Sequence, residues 1–289
     1  MEMMSTHIRD VVLKFYQETP FNFRQTIKEQ ADAAMAKEIT DYYPSLDPYI
    51  NGKETIDALE VGCGAGWFSN GLSLHHNVWP VGIDFNEVAI KRAKDVWKYI
   101  RKCNFHCGII DKPSQYLVKD IFEYDVDAQS RPSGNTGKFD FVASIGVLHH
   151  TKDCHEALRK ICNNFVKSKG HIFIGLYHKY GRKPFLDEFK KLKDMGISEQ
   201  GMFKRYCELS NFKGKDETHL RSWFVDQVLH PHETLHTQEK INSILKECDM
   251  TLVESTIEGD EKKYEEIATN KLKENSYWPG FFSFIARKN

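Results

Sequence analysis

The ten residues from Leu59 to Phe68, LEVGCGAGWF, constrain this chain more than any other stretch: an apolar run carries an acid, Glu60, into glycines at 62, 64 and 66. A strand that turns at once into a helix needs positive φ angles that residues with a Cβ adopt poorly, and glycine supplies them. Bare backbone also lets a ligand come close. The spacing is GxGxG behind a leading acid. It differs from the GxGxxG of dinucleotide binders, whose third glycine packs the helix tightly while the helix N-terminus faces a pyrophosphate.

A second acid, Asp84, ends the next apolar run in VGIDFNE, where a carboxylate accepts hydrogen bonds from ribose hydroxyls. Two neighbouring strand ends thus address one nucleoside. Glu60 is placed to hold a cationic amino group, directly or through water. A ligand with a ribose, an adenine and an ammonium-bearing tail suits this pattern better than a nicotinamide dinucleotide.

With these residues in view, positions 55 to 177 resemble the class I S-adenosylmethionine-dependent methyltransferases. EVGCGAGWF resembles that family's first motif, and Asp84, followed by Phe85, its ribose-binding acid. Asp120 in YLVKDIF resembles the acid that meets the adenine amino group, with Ile121 and Phe122 flanking the ring. FDFVASIGVLHHTKD resembles the fourth strand and the turn under the methionine moiety, which involves Ser144 and Gly146. The resemblance implies S-adenosylmethionine as cofactor, held by Glu60, Gly62, Cys63, Gly64, Gly66, Trp67, Asp84, Phe85, Asp120, Ile121, Ser144 and Gly146. It also implies an α/β fold: a doubly wound, mostly parallel seven-stranded sheet with the last strand antiparallel.

The pattern of the chain agrees with that fold. Apolar strands at 55–61, 78–83, 139–145 and 171–177 alternate with helical patterns from 66, at 86–101 and at 153–167, which implies parallel pairing with right-handed crossovers. Residues 1–50 read as a helical, aromatic cap, with Tyr16, Phe21 and Phe23 available to close over the cofactor beside Trp67. Residues 51–180 read as the cofactor-binding core and 181–236 as a charged helical lid after the fifth strand. From 237 to 289 the sheet is completed. The segment between Asp127 and Lys138, rich in turn formers, reads as an exposed loop.

Composition narrows the partners. A formal net charge of −1 in 289 residues lacks the basic excess of a protein that grips a phosphate backbone, so no nucleic-acid partner is expected. No apolar run is long enough for a membrane span, and the N-terminus does not read as a signal peptide. Seven cysteines without scaffold spacing suit a reducing cytoplasm. The expected partner is a small molecule, and oligomeric state is not legible.

The reaction implied by the resemblance is in-line displacement at the methyl carbon of a sulfonium, with positioning carrying most of the acceleration. A base is needed where the acceptor is an alcohol or a protonated amine, and histidine suits that role near neutral pH. His178 and Tyr177, at the end of the fifth strand, are the catalytic candidates. His149, Arg182, Arg221, His230, His232 and His236 are the candidates for the acceptor side, the arginines because guanidinium pairs with an acidic group. His149 and His150 in VLHH read first as turn residues, and Asp226 lies near the lid histidines.

No metal is expected, because HPHETLH is not a ligand spacing on a helix and Cys103, His106 and Cys107 lack a second pair. The function read from the sequence is methyl transfer to a small polar metabolite, one that carries an acidic group in the narrower reading. A non-catalytic cofactor-binding partner and a nicotinamide-dependent oxidoreductase are the alternatives. The latter would need a pyrophosphate-binding turn that the sequence lacks.

Overall fold

The computed structural model describes residues 2–52, 54–103, 114–126, 137–210 and 216–289. Four helical segments come first: α1 (Glu2–Glu18), α2 (Ile27–Met35), and the single turns α3 (Ile39–Tyr42) and α4 (Asp47–Ile50). The alternating part follows as β1 (Ile56–Val61), α5 (Trp67–His75), β2 (Val78–Asp84), α6 (Glu87–Cys103), β3 (Gln115–Val118), β4 (Phe139–Ile145), α7 (Cys154–Lys160) and β5 (Val166–Tyr177). Three lid helices, α8 (Lys179–Asp194), α9 (Glu199–Ser210) and α10 (Glu217–Val228), precede α11 (Gln238–Glu247), β6 (Met250–Ser255), α12 (Lys263–Lys273) and β7 (Phe281–Lys288).

The strands form one seven-stranded sheet in the order β3-β2-β1-β4-β5-β7-β6. β1 to β5 pair in parallel, and β7 runs antiparallel between β5 and β6. β1 and β4 are buried along nearly their whole length, as strands with helices on both faces must be. Leu59, Val61, Val142, Ile172 and Ile174 pack on one face with Ala157, Ile161, Ile241 and Ile244. Ala58, Phe141, Ala143 and Phe173 pack on the other with Phe68, Leu72 and Leu46. α6 buries Ala89, Ile90, Ala93, Val96, Trp97 and Ile100, a stripe at helical spacing.

Two boundaries depart from the sequence reading. The helix expected over 153–167 is α-helical only to Lys160; a π turn spans Ile161–Phe165, and β5 begins at Val166 rather than 171. Ile161, Cys162 and Phe165 are apolar and buried through the changeover, so hydrophobic pattern does not mark it. β3 is a further strand, of only four residues, too short to stand out by alternation. Most of the segment between Asp127 and Lys138 lies outside the described residues, as do His106 and Cys107.

The lid helices share a cluster of their own, in which Phe185, Phe189, Met202, Phe203, Tyr206 and Phe224 pack together. Arg182 pins this cluster to the sheet. Fully buried, it donates through Nε and Nη2 to the Glu233 carboxylate at 3.1 and 2.8 Å, through Nη2 to the Gln227 carbonyl at 2.7 Å, and through Nη1 to the Pro279 carbonyl at 3.3 Å. A buried guanidinium needs such a set of acceptors because the cost of leaving it unpaired is large. Glu233→Ala, which strands Arg182, is expected to destabilise the protein by about 3–5 kcal/mol in urea unfolding, and Glu233→Gln by less. Equal stability of the Ala variant and the parent would show that Arg182 is not the pin.

Candidate active site

A cavity of about 950 Å³ opens at the carboxyl ends of the central strands and is roofed by parts of α1 and α10. Sheets of this kind place ligands there, where the strand order reverses. The glycine turn forms its floor. Gly62 has φ 75° and faces Val147, whose methyl carbons would lie 2.4 Å from a Cβ at that position. Gly64, at φ 50°, has nothing within 4 Å of where a Cβ would be, so the missing side chain leaves backbone bare to the cavity.

Asp84 ties the turn to the next strand. Its Oδ2 accepts from the Gly64 amide at 2.9 Å and its Oδ1 from the Asn86 amide at 2.8 Å. Burial pushes its carboxyl up to about 6, against the pull of those two amides. Glu60, 7 % exposed, accepts from the amide of Ser69 at 3.0 Å and from its hydroxyl. Burial, only partly offset by Ser69, pushes Glu60 up to about 8. Gly62, Cys63, Trp67, Phe85, Asp120, Ile121 and Gly146 also line the cavity. Asp120 accepts from the Phe122 amide at 2.9 Å and pairs with Arg9 Nε of α1 at 2.9 Å.

Two residues of the predicted cofactor set do other work. Gly66, at φ 78°, begins α5 and sits where a Cβ would meet that of Ala93 at 2.9 Å. Ser144 is fully buried, with its hydroxyl donating to the Val61 carbonyl at 3.0 Å, which binds β4 to β1 behind the cavity.

The other half of the cavity corrects most of the acceptor-side expectations. Tyr177 lines it, its ring under the Arg182 guanidinium at 3.8 Å. His178 does not: it is fully buried, its Nε2 pairs with Glu261 at 2.9 Å, and its Nδ1 accepts from the Gly181 amide as the cap of α8. Arg182 is spent on the bonds described above, and Arg221 binds Glu199 and Gln200 while covering Phe203. Neither arginine faces the cavity.

His149 is fully buried behind Tyr177, with ring centroids 4.1 Å apart. His232 binds the Thr151 carbonyl through Nε2, and His236 binds His155 and Thr234. His230 stacks on His150 at 3.7 Å. None of these four lines the cavity.

The groups that do line this half are Tyr16, His150, Trp223, Asp226, Gln227 and Phe281. Phe21 and His219 line it also, whereas Phe23 lies under Arg92 instead. The Tyr16 hydroxyl donates to Asp226 Oδ1 at 2.7 Å. Burial pushes Asp226 up to about 7 and holds His150 well below the usual histidine range. The signals for Asp226 and His150 were in the sequence as neighbours of the chosen histidines. Gln227 and Phe281 carried none, because their role comes from the lid and β7 meeting.

A family model described as "Methyltransferase domain" matches residues 27–255. A ubiquinone biosynthesis O-methyltransferase of Marinobacter nauticus is 24 % identical over 184 residues, covering 61 % of this chain and 70 % of that protein. Among solved structures, magnesium protoporphyrin IX methyltransferase from Synechocystis PCC 6803 with bound SAH superposes with a TM-score of 0.53 at 11 % identity, over 100 % of this chain and 99 % of that one. PKMT2 from Rickettsia typhi in complex with AdoHcy gives 0.56 at 15 % identity over 85 % of this chain, which spans about half of it, 52 %. At these identities the structures establish a shared fold.

Glu60 makes a measurable stability term. Its carboxyl moves from an ordinary 4.5 to about 8 on folding, so the protonated form is favoured in the folded chain. The stability this contributes is complete below the unfolded value and is lost as pH rises through about 8. Glu60→Gln, which keeps the shape without the charge, is expected to raise Tm of the ligand-free protein by about 5 °C at pH 9 and to leave it nearly unchanged at pH 5. The same Tm difference at both pH values would mean that Glu60 is not held against its charge.

Proposed function

This chain belongs to the family of methyltransferase domains, and we propose that it moves the methyl group of S-adenosylmethionine to a hydroxyl of a small molecule. The observation that carries the reading is the set of carboxylates on consecutive strand ends of one cavity: Glu60 near the end of β1, Asp84 at the end of β2 and Asp120 just after β3. Asp84, with its orientation fixed by two backbone amides, is assigned to the ribose hydroxyls. Glu60 is assigned to the ammonium of the methionine moiety, whose charge would favour the ionised carboxylate that burial disfavours. Asp120, with Ile121 beside it, is assigned to the adenine edge; this requires Arg9 to yield its place, so α1 moves when cofactor binds.

The acceptor is assigned to the half lined by Tyr16, His150, Tyr177, Trp223, Asp226 and Phe281. Aromatic faces with a few polar groups suit a molecule with an apolar or ring-shaped body and a hydroxyl. The internal bonds of Arg182 and Arg221 remove the reason to require an acidic group. The relative from Marinobacter nauticus, named for O-methyl transfer, supports oxygen as the acceptor atom.

The chemistry these residues can supply is mostly placement. A sulfonium loses its positive charge as the methyl moves, so fixed anions close to the methyl would hold back the reaction. Keeping acids at the ribose, the ammonium and the adenine, away from the transferring carbon, avoids that cost. Well-oriented reactants gain about 7–11 kcal/mol from proximity alone. The proton of the hydroxyl is assigned to leave toward the wall of His150 and Asp226.

Calorimetry with S-adenosylhomocysteine tests the cofactor site. Tight binding is expected, weakened about 150- to 1,000-fold by Asp84→Ala, the worth of two charge-assisted hydrogen bonds. No heat of binding from the parent protein would remove the reading. Mass analysis of metabolites exposed to the enzyme and isotope-labelled S-adenosylmethionine then identifies the acceptor, and a label found on nitrogen or sulfur would overturn the assignment to oxygen.

A further inference from the structure

The wall of the acceptor half gathers three donors, His150, Asp226 and His230, and receiving the hydroxyl proton does not by itself require all three. His150, Asp226 and His230 each bring a ring nitrogen or carboxylate oxygen to one spot, all within 4.8 Å of one another. His150 is 4 % exposed and Asp226 6 %. The Nε2 atoms of His150 and His230 are buried with no hydrogen-bond partner among the described residues. An unmade bond of this kind costs about 1–3 kcal/mol, and two of them beside a buried carboxylate call for something that satisfies all three.

We infer that His150, Asp226 and His230 form a binding site for one divalent transition-metal ion, set against the acceptor half of the cavity. Two imidazoles and one carboxylate are a donor set for zinc, iron, cobalt or nickel, and they leave positions open for a further ligand. The surroundings fit. Nδ1 of His150 bonds to the His232 carbonyl at 2.8 Å, which places the proton on that nitrogen and leaves the lone pair on Nε2. Tyr16 donates to Oδ1 of Asp226, orienting the carboxylate as groups around metal ligands do.

His230 needs two local changes: its ring, stacked on His150 at 3.7 Å and 30°, must turn so that both Nε2 lone pairs point to one ion, and its proton must move. Its Nδ1 accepts from the His232 amide at 3.1 Å, so ligation through Nε2 moves the ring proton to Nδ1 and gives up that contact. A neutral hydrogen bond of about 1 kcal/mol is a small loss against a metal–nitrogen bond. The sequence pattern pointed away from a metal because it grouped His230 with His232 and His236. The fold separates those two, binding them to Thr151, Thr234 and His155, and gives His230 the partners His150 and Asp226 instead.

A divalent ion against one carboxylate leaves a positive charge that an oxygen which has lost its proton would neutralise. With the ion bound, His150 and Asp226 are ligands and do not take the proton; the ion would lower the proton affinity of an acceptor hydroxyl bound to it, so that the proton is lost to water. That role rests on the methyl-transfer reading; the binding site itself does not.

The test uses the full chain, treated with chelator and titrated with Co²⁺ followed by its visible d–d bands, and with Zn²⁺ by calorimetry. One equivalent is expected to bind. His150→Ala, Asp226→Asn and His230→Ala should each weaken uptake about 100-fold or more, and Tyr16→Phe about 10-fold, the size expected for a group that orients a ligand. S-adenosylhomocysteine affinity within about twofold of the parent shows in each variant that the fold and the cofactor half are intact. No uptake by the parent at ~100 μM metal, or uptake that survives all three ligand changes, overturns the inference. The first result would give the pocket to water or to the acceptor's own hydroxyl. Failure of the methyl-transfer reading would appear separately, as absent S-adenosylhomocysteine binding.

Discussion

The carboxylate of Asp84 accepts from Gly64 with one oxygen and from Asn86 with the other, and the rest of the site is arranged around that pair of bonds. The first fixes the glycine turn against the second strand and presents bare backbone to the cavity. The second sets Asn86, whose side chain donates to the Tyr16 carbonyl at 3.0 Å. Tyr16 in turn donates its hydroxyl to Asp226. One path of hydrogen bonds thus runs from the glycine turn through α1 to α10. The glycine turn at the cavity floor and the Tyr16–Asp226 wall are positioned by the same acid.

That continuity accounts for how the helices outside the sheet matter. α1 contributes few contacts to the sheet, yet it supplies Arg9 to Asp120 at one end and Tyr16 to Asp226 at the other. The lid, held by Arg182, supplies Trp223, Asp226 and Gln227. Arg9 and Tyr16 stand on one helix, so α1 touches both the Asp120 end and the Asp226 end of the cavity.

The glycine turn and the acids at the strand ends were legible in the sequence because their determinants are local. A glycine turn after an apolar strand, and an acid at the end of the next strand, have their positions fixed by the chain's own period and by parallel pairing. Gly66 and Ser144 do not line the cavity, and the contacts that occupy them, with Ala93 and Val61, come from other elements and are not legible locally. The acceptor half was legible only as a stretch. Which histidine in VLHH faces the cavity depends on where the lid returns: His149 meets Tyr177, while His150 meets His230 and the His232 carbonyl. Arg182 looked like an anion receptor because an arginine after a strand end is one when unpaired, and pairing with Glu233, fifty-one residues away, is a tertiary fact.

Burial acts on three acids of this cavity in one direction, and that direction bears on function. Glu60, Asp84 and Asp226 are all shifted toward the neutral form, chiefly by loss of water. Such groups are poor contributors to the stability of an empty fold near neutral pH and strong receptors for positive charge once a cation replaces the missing water. The ammonium assigned to Glu60, and the metal ion inferred at Asp226, are cations of that kind. The fold keeps these acids costly while empty, and this makes the binding of cations to them a large part of what completes the structure.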